Sequence, residues 1–226
     1  AEAEIYASEK FVARLGTRIE YSDYLHSSNL VPRISAAYKI SGTSQLSAAY
    51  GWFYQDPTDD YLLYTSKLTY ERADHYTFSY QISQNDRTFR AELFYKDYNN
   101  LAKLNNFDAF YLPSSYSNSG KGYAKGIDIF WRDKKTIKNG DYWISYSYLD
   151  TKRDYRNYPV TSVPAFASKH NLAVVYKHWF GGLRSYVSAN YKYSSPRVYN
   201  NPNSAVFNDE HTKPYRSFDF SWSFLL

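Results

Sequence analysis

Apolar and polar residues alternate along most of this chain, and that alternation restricts it to β-structure. Between Phe11 and Tyr21, apolar or aromatic residues recur at every second position except Thr17, and Arg14, Arg18 and Glu20 stand between them. A period of two places the two sets on opposite faces of a strand. The pattern predicts eleven strands, with the approximate spans 1–7, 11–23, 31–41, 45–55, 67–83, 87–98, 123–133, 141–150, 168–179, 183–195 and 215–226.

The connections between these strands alternate in length, which indicates a barrel in a membrane. The short connections include 8–10, 41–44, 84–86, 134–140 and 180–182, and the longer ones are 24–30, 56–66, 99–122, 151–167 and 196–214. Outer-membrane barrels have short periplasmic turns and long extracellular loops. A soluble β-sandwich is the alternative, but it does not explain why the long loops occupy every second connection.

The aromatic content supports a membrane barrel. The chain has 27 Tyr, 14 Phe and 5 Trp in 226 residues, although its mean hydropathy is only -0.65. Tyrosine suits a boundary between an apolar and an aqueous phase. The sequence contains no run of about 18 apolar residues, so it predicts no transmembrane helix. Aromatic residues near predicted strand ends are expected to form interfacial girdles: Trp52, Tyr54, Trp131, Trp143, Trp179, Tyr191, Tyr193 and Trp222.

Nothing in the sequence indicates catalysis, a cofactor, a metal or nucleic acid. The formal net charge is +5, but basic residues stand singly among acidic ones, which is typical of a solvated face. His170 and His178 would share a strand face at a separation of about 26 Å, too far to bind one metal ion. Ser79 and His75 also share a face, a spacing that is common by chance. We therefore predict that the protein is not an enzyme and has no cofactor.

Several segments resemble the TonB-dependent receptor family, especially receptors of Bacteroidetes-type bacteria. The segment 29–38, NLVPRISAAY, resembles the family strand PR-hydrophobic-S-x-x-Y. The segment 71–76, ERADHY, is similar to the strand start E-x-A-x-x-Y, and 122–128, GYAKGID, is similar to G-x-A-x-G-hydrophobic-E/D. With 44–51, 54–57 and 90–96, the resemblance extends over nearly the whole chain.

The resemblance implies an all-β fold, a transmembrane antiparallel up-and-down β-barrel in the bacterial cell outer membrane. About eleven strands would be part of a larger barrel of about 22. Residues 1–226 are then expected to form one incomplete barrel domain without the plug domain and the TonB box. The odd strand number, the missing start Met and the ending Phe224-Leu225-Leu226, which departs from the family's aromatic terminus, favour that interpretation.

As a function, the resemblance implies a receptor and transporter for energised uptake of a scarce nutrient. This chain would supply barrel wall and extracellular ligand-binding loops. The alternative is a structural or interaction subunit of an outer-membrane assembly, or a client of barrel folding. The expected partners are outer-membrane lipid and lipopolysaccharide, the remaining strands and plug of the same barrel, TonB through the missing N-terminal part, and a lipoprotein lid or other outer-membrane subunits.

Aromatic residues in the long loops are the candidate ligand-binding residues, since exposed aromatics on a rigid scaffold often contact ligands. The alternative is that they pack the loops against one another. The nine candidates are Phe107, Phe110, Tyr111, Tyr116, Tyr155, Tyr158, Phe166, Tyr199 and Phe207. Charged residues on the polar strand faces are expected to line the lumen, some facing the plug: Arg14, Arg18, Glu20, Arg33, Lys39, Arg90 and Glu92.

Overall fold

The structure is a computed structural model that describes residues 1–225, and it consists almost entirely of one antiparallel sheet. Eleven strands lie side by side in chain order, so the predicted number of strands is confirmed. They are β1 Glu2–Tyr6, β2 Phe11–Ser22, β3 Ser27–Lys39, β4 Ser44–Gln55, β5 Glu71–Gln84, β6 Arg87–Leu104, β7 Tyr116–Asp133, β8 Gly140–Asp154, β9 His170–Phe180, β10 Ser185–Ser194 and β13 Tyr215–Phe224.

The remaining elements are short and lie in the connections. Strands β11 (Val198–Tyr199) and β12 (Glu210–His211) form a separate two-stranded ladder, and α1 (Asp59–Leu62) is a single helical turn. Two 3-10 turns occur at Pro113–Ser115 and Gly181–Leu183. Within the described part of the chain, no helix has the length and apolar character needed to cross a membrane.

Cross-strand register makes one face of the sheet continuously apolar. Leu15 pairs with Ile34, which pairs with Tyr50 on the next strand. Many of these side chains have no protein cover: Ile19 is 73% exposed and Trp222 is 67% exposed. An apolar face of this extent requires an apolar surrounding, which for a sheet of long antiparallel strands is the hydrocarbon of a membrane.

The opposite face is polar and carries ion pairs and hydroxyl ladders. Arg14 pairs with Glu2 at 2.9 Å, and the Ser47 and Ser79 hydroxyls are 2.7 Å apart across β4 and β5. An apolar outer face with a polar inner face is the arrangement of a transmembrane barrel. All seven charged residues expected to point inward lie on this face: Arg14, Arg18, Glu20, Arg33, Lys39, Arg90 and Glu92.

Several strands extend further towards the long connections than the alternation predicts. The predicted loop 99–122 is reduced to 105–115, because β6 and β7 continue to pair as far as Leu104 and Tyr116. Two register shifts beside Leu101, and a left-handed backbone at Asn100 (φ 57°), break the period of two there. The other corrected boundaries are 23–26 for the connection 24–30, 155–169 for 151–167, 195–214 for 196–214, and a start at Glu71 for the strand 67–83.

Two predicted girdle residues lie on the polar face instead. Trp143 is paired with Arg132, whose guanidinium carbon lies 5.4 Å from a Trp143 ring centroid. The Trp179 ring packs at a tilt against Tyr186, also on the polar face, with 4.7 Å between the ring centroids. Both tryptophans are therefore wrongly placed by the girdle prediction, because proximity to a strand end does not determine which face a side chain occupies.

The two ends of the sheet differ as predicted. We call the edge with connections 7–10, 40–43, 85–86, 134–139 and 181–184 the turn end, and the edge with 23–26, 56–70, 105–115, 155–169 and 195–214 the loop end. Four of the five loop-end connections are long, and only 23–26 is not. The buried hydrophobic cluster also lies at the loop end: it consists of Leu68, Ala102, Leu104 and Tyr116, with Tyr61 and Leu62 of α1 packed against it.

Candidate functional site

A first aromatic cluster joins α1 to the connection 105–115 at the loop end. Tyr61 lies 5.1 Å from Tyr116, and Tyr64 lies 5.6 Å from Phe110, measured between ring centroids. Tyr111 contacts Phe110 edge-on at 5.9 Å. The Tyr116 hydroxyl donates a hydrogen bond to the Phe110 carbonyl oxygen at 2.6 Å, which links the connection to the first residue of β7.

Tyr61 and Tyr64 were not predicted as site residues, although the sequence contains a usable signal. They stand three residues apart in DDYLLY, the spacing that brings two side chains together on one side of a helical turn.

A second aromatic cluster joins the connections 155–169 and 195–214. It consists of Tyr155, Tyr158 and Phe207. The ring centroids of Tyr155 and Tyr158 lie 5.0 Å apart, and those of Tyr158 and Phe207 lie 4.8 Å apart. The Asn208 side-chain amide donates to the Val163 carbonyl oxygen at 3.1 Å and reinforces the same contact. Two loops that are distant in sequence are thereby held side by side.

Burial divides the nine predicted ligand-binding residues into three groups. Tyr116 and Tyr155 are 9% and 7% exposed, and burial raises the pKa of both hydroxyls, so these two rings pack the loops. Tyr116 also belongs to β7 rather than to a loop. Tyr158 and Phe207 are partly buried against each other. The five that remain exposed are Phe107, Phe110, Tyr111, Phe166 and Tyr199, of which Phe107, Phe166 and Tyr199 join neither cluster.

Arg153 forms a further feature of the loop end that was not predicted as a site. It lies on the polar face in register with Gly122 of β7 and Tyr98 of β6. Its guanidinium carbon is 4.1 Å from the Tyr98 ring centroid and 5.3 Å from that of Phe166. Sequence alone places Arg153 only within the predicted connection 151–167, because this contact depends on strand register.

The acidic pairs of the loops do not assemble into a cation site. Asp59 and Asp60 occupy the first turn of α1, while Asp209 and Glu210 lie in the connection 195–214. Across residues 1–225, no group of three or more His, Cys, Asp or Glu side chains is arranged to hold a metal ion.

Comparison with known proteins agrees with this architecture. The family model described as TonB dependent receptor-like, beta-barrel, matches residues 1–224. No curated protein sequence matches the chain. Among solved structures, the FrpB iron transporter from Neisseria meningitidis superimposes with a TM-score of 0.79 at 12% identity over 99% of this chain and 37% of its own.

Two further structures are similar to the same extent. The ferric-catecholate import receptor Fiu from K12 E. coli gives a TM-score of 0.77 at 13% identity, over 99% of this chain and 37% of its own. The ferripyoverdine receptor of the outer membrane of Pseudomonas aeruginosa gives 0.75 at 16% identity, over 98% and 31%. The chain thus spans about a third of the length of each of these structures.

The strand order, the polar inner face and the family match lead to one assignment. The apolar outer face places these strands in the bacterial outer membrane, where the structural relatives reside. The chain belongs to the β-barrel family of TonB-dependent receptors.

Proposed function

We propose that this protein is an outer-membrane receptor that binds an iron chelate at its loop end and imports it with energy supplied through TonB. The loop end is then extracellular and the turn end periplasmic, in keeping with the loop lengths of outer-membrane barrels. The observation that carries the proposal is the pair of aromatic clusters, which hold four long connections in fixed positions above the sheet.

The relatives support the nature of the ligand. The solved structures similar to this chain are named as an iron transporter, a ferric-catecholate import receptor and a ferripyoverdine receptor. Phe110, Tyr111 and Phe166 are exposed at the same end, and exposed aromatic rings on a rigid scaffold give large contact areas at a low cost in side-chain entropy.

The proposal includes a closed barrel of about 22 strands around a plug, to which these eleven strands contribute part of the wall. Within residues 1–225, β1 and β13 form the two edges of the sheet and do not pair with each other. An unpaired strand edge in hydrocarbon costs several kcal/mol per backbone group, so each edge is expected to pair with a further strand. Contact with TonB and movement of ligand through the barrel belong to that larger assembly.

Radioactive iron uptake tests the proposal. Cells that express this protein as their sole receptor for iron chelates are supplied with ⁵⁹Fe on a panel of catecholate, hydroxamate and mixed chelators, with and without a protonophore. We expect energy-dependent uptake of at least one chelate. The double variant Phe110→Ser and Tyr111→Ser should weaken that uptake about tenfold or more, because hot-spot aromatics dominate binding energy.

Tyr24→Ser is the matched control, since Tyr24 is an exposed loop-end tyrosine that belongs to neither cluster. It should leave uptake unchanged. Protein that reaches the outer membrane in normal amounts but shows no energy-dependent uptake of any chelate contradicts the proposal and favours a structural or interaction subunit.

A further inference from the structure

We infer that Arg153 is an anion-binding residue of the loop end and selects ligands that carry an oxyanion beside an aromatic ring. The inference rests on the proposed receptor function and specifies the chemistry of its ligand.

A glycine makes the position of Arg153 possible. Tyr98, Gly122 and Arg153 form one row across β6, β7 and β8 on the polar face. A Cβ at Gly122 would lie 2.8 Å from the Arg153 Cγ, so only glycine lets the arginine cross β7. The guanidinium therefore reaches the Tyr98 ring two strands away, at 4.1 Å.

Three aromatic rings surround this guanidinium. Beyond Tyr98, the Phe166 and Tyr155 ring centroids lie 5.3 and 5.5 Å from the guanidinium carbon. Contact with ring faces stabilises the cation, but rings accept none of the N–H hydrogen bonds that lie in the guanidinium plane. The donors of Arg153 therefore remain available to an acceptor outside these rings.

Among residues 1–225, the Arg153 side chain donates no hydrogen bond to a protein acceptor. The Arg153 Nε is buried without a hydrogen-bond partner, and no carboxylate within residues 1–225 lies at ion-pair distance from this guanidinium. The neighbouring Asp154 points to the other face and pairs with Lys103. Most other arginines of the polar face have an acidic partner, as Arg14, Arg90 and Arg132 do. A buried unpaired donor on a charged group indicates a missing anionic partner.

The position of Arg153 favours a ligand over an internal partner. It lies five residues beyond Tyr148, the last large apolar side chain of β8 on the apolar face, or roughly 16 Å further along the strand. At that height it is level with the loops, and its partner Phe166 is exposed. An oxyanion bound by the guanidinium would bring its own aromatic ring against Phe166 and Tyr98.

The test compares two ferric chelates of similar size but different charge. Binding of a trianionic ferric tris-catecholate and of a neutral ferric trihydroxamate to the purified full-length protein is followed by quenching of tryptophan fluorescence. We expect the tris-catecholate to bind more tightly and Arg153→Gln to weaken it about ten- to a hundredfold, the range for one charge-assisted contact. Affinity for the trihydroxamate should change little.

Two further variants separate binding from folding. Tyr98→Leu keeps the charge but removes the ring beneath the guanidinium, and it should weaken tris-catecholate binding less than Arg153→Gln does. Arg197→Gln is the matched control, because Arg197 is exposed at the loop end and belongs to no ion pair among the described residues. It removes the same charge and should leave the selectivity between the two chelates intact.

The outcomes distinguish this inference from the proposed function. A wild-type protein that binds the trihydroxamate as tightly as the tris-catecholate, or an Arg153→Gln variant with unchanged selectivity, overturns the role of Arg153 but leaves the receptor function standing. Failure to bind or import any iron chelate overturns both.

Discussion

Replacing Asp133 tests whether one buried carboxylate stabilises the connection between β7 and β8 at the turn end. Asp133 lies beyond Trp131, the last aromatic residue of β7, and its side chain is 2% exposed. Its Oδ1 accepts the backbone amides of Lys135 at 2.7 Å and Thr136 at 2.8 Å. Its Oδ2 accepts the Arg87 Nε at 2.9 Å and the Thr136 hydroxyl at 2.6 Å.

The structure gives the magnitude for each substitution. In Asp133→Asn one oxygen still accepts the two amides, but the new amide group cannot accept from Arg87. A hydrogen bond to a charged partner contributes about 1.5–3 kcal/mol, and Arg87 is exposed enough to regain water, so we expect a loss of about 2 kcal/mol. Asp133→Ala removes both acceptors and leaves buried donors unpaired, for a loss of about 3–5 kcal/mol.

The stabilisation by Asp133 should weaken in acid. Burial raises the pKa of Asp133, but hydrogen bonds from Thr136, Lys135 and Arg87 lower it by more and leave the pKa well below its ordinary value of 3.8. A depressed folded-state pKa stabilises the protein fully above the unfolded value, and this stabilisation is lost as the pH falls towards the folded value. The difference between wild type and Asp133→Asn should therefore shrink below about pH 4.

The assay is guanidinium unfolding of the purified protein in lipid vesicles, followed by tryptophan fluorescence at about pH 7 and about pH 3. Asp141→Asn is the matched control: Asp141 accepts two bonds from Arg132, at 2.9 and 2.6 Å, but its side chain is 25% exposed. It should cost less than about 1 kcal/mol. Equal losses for both variants at neutral pH, or an Asp133 effect that is undiminished at about pH 3, would refute the reasoning.

Two pairs of substitutions test the packing and the two faces of the sheet by the same unfolding assay. Gly126→Ala would bring a Cβ to 2.7 Å from the Phe94 ring and against a backbone carbonyl of β8, so a loss of about 1–3 kcal/mol or more is expected, while Gly42→Ala, with nothing within 4 Å, should change little. Ile129→Arg places a charge on the apolar face and should lower the free energy of unfolding by about 2–4 kcal/mol. Ser147→Arg places the same charge on the polar face, opposite Asp128, and should be tolerated. Equal effects would contradict the assignment of faces.

The sheet could be predicted because its alternation is a local property of the sequence. Every strand between β1 and β13 that contributes to the sheet carries the period of two, and the register follows from matching apolar faces. The extent of β6 could not be predicted, since the shifts around Leu101 interrupt the period while the backbone continues to pair. The girdle prediction misplaces Trp143 and Trp179 because it rests on their nearness to a strand end, which does not determine the face on which a side chain lies.

The loop end was predictable in composition but not in arrangement. The sequence indicates aromatic loops, and the structure assigns Tyr116 and Tyr155 to packing by their burial. Which rings meet depends on contacts between connections, such as Tyr158 with Phe207, that no local pattern encodes. Arg153 depends on Gly122, 31 positions earlier, and so on a cross-strand neighbour rather than on its own surroundings in the sequence.

The buried cluster of Leu68, Ala102, Leu104 and Tyr116 determines how much conformational entropy the loop end loses when it binds a ligand. Because this cluster anchors α1 and the β6–β7 hairpin before any ligand arrives, little conformational entropy remains to be lost when a complex forms. Such a preorganised surface should bind with a heat-capacity change close to that of the apolar area it covers, without the larger negative change that accompanies coupled folding. Loosening the anchor, as by Leu68→Ala, would then lower affinity through entropy while every contact with the ligand stays in place.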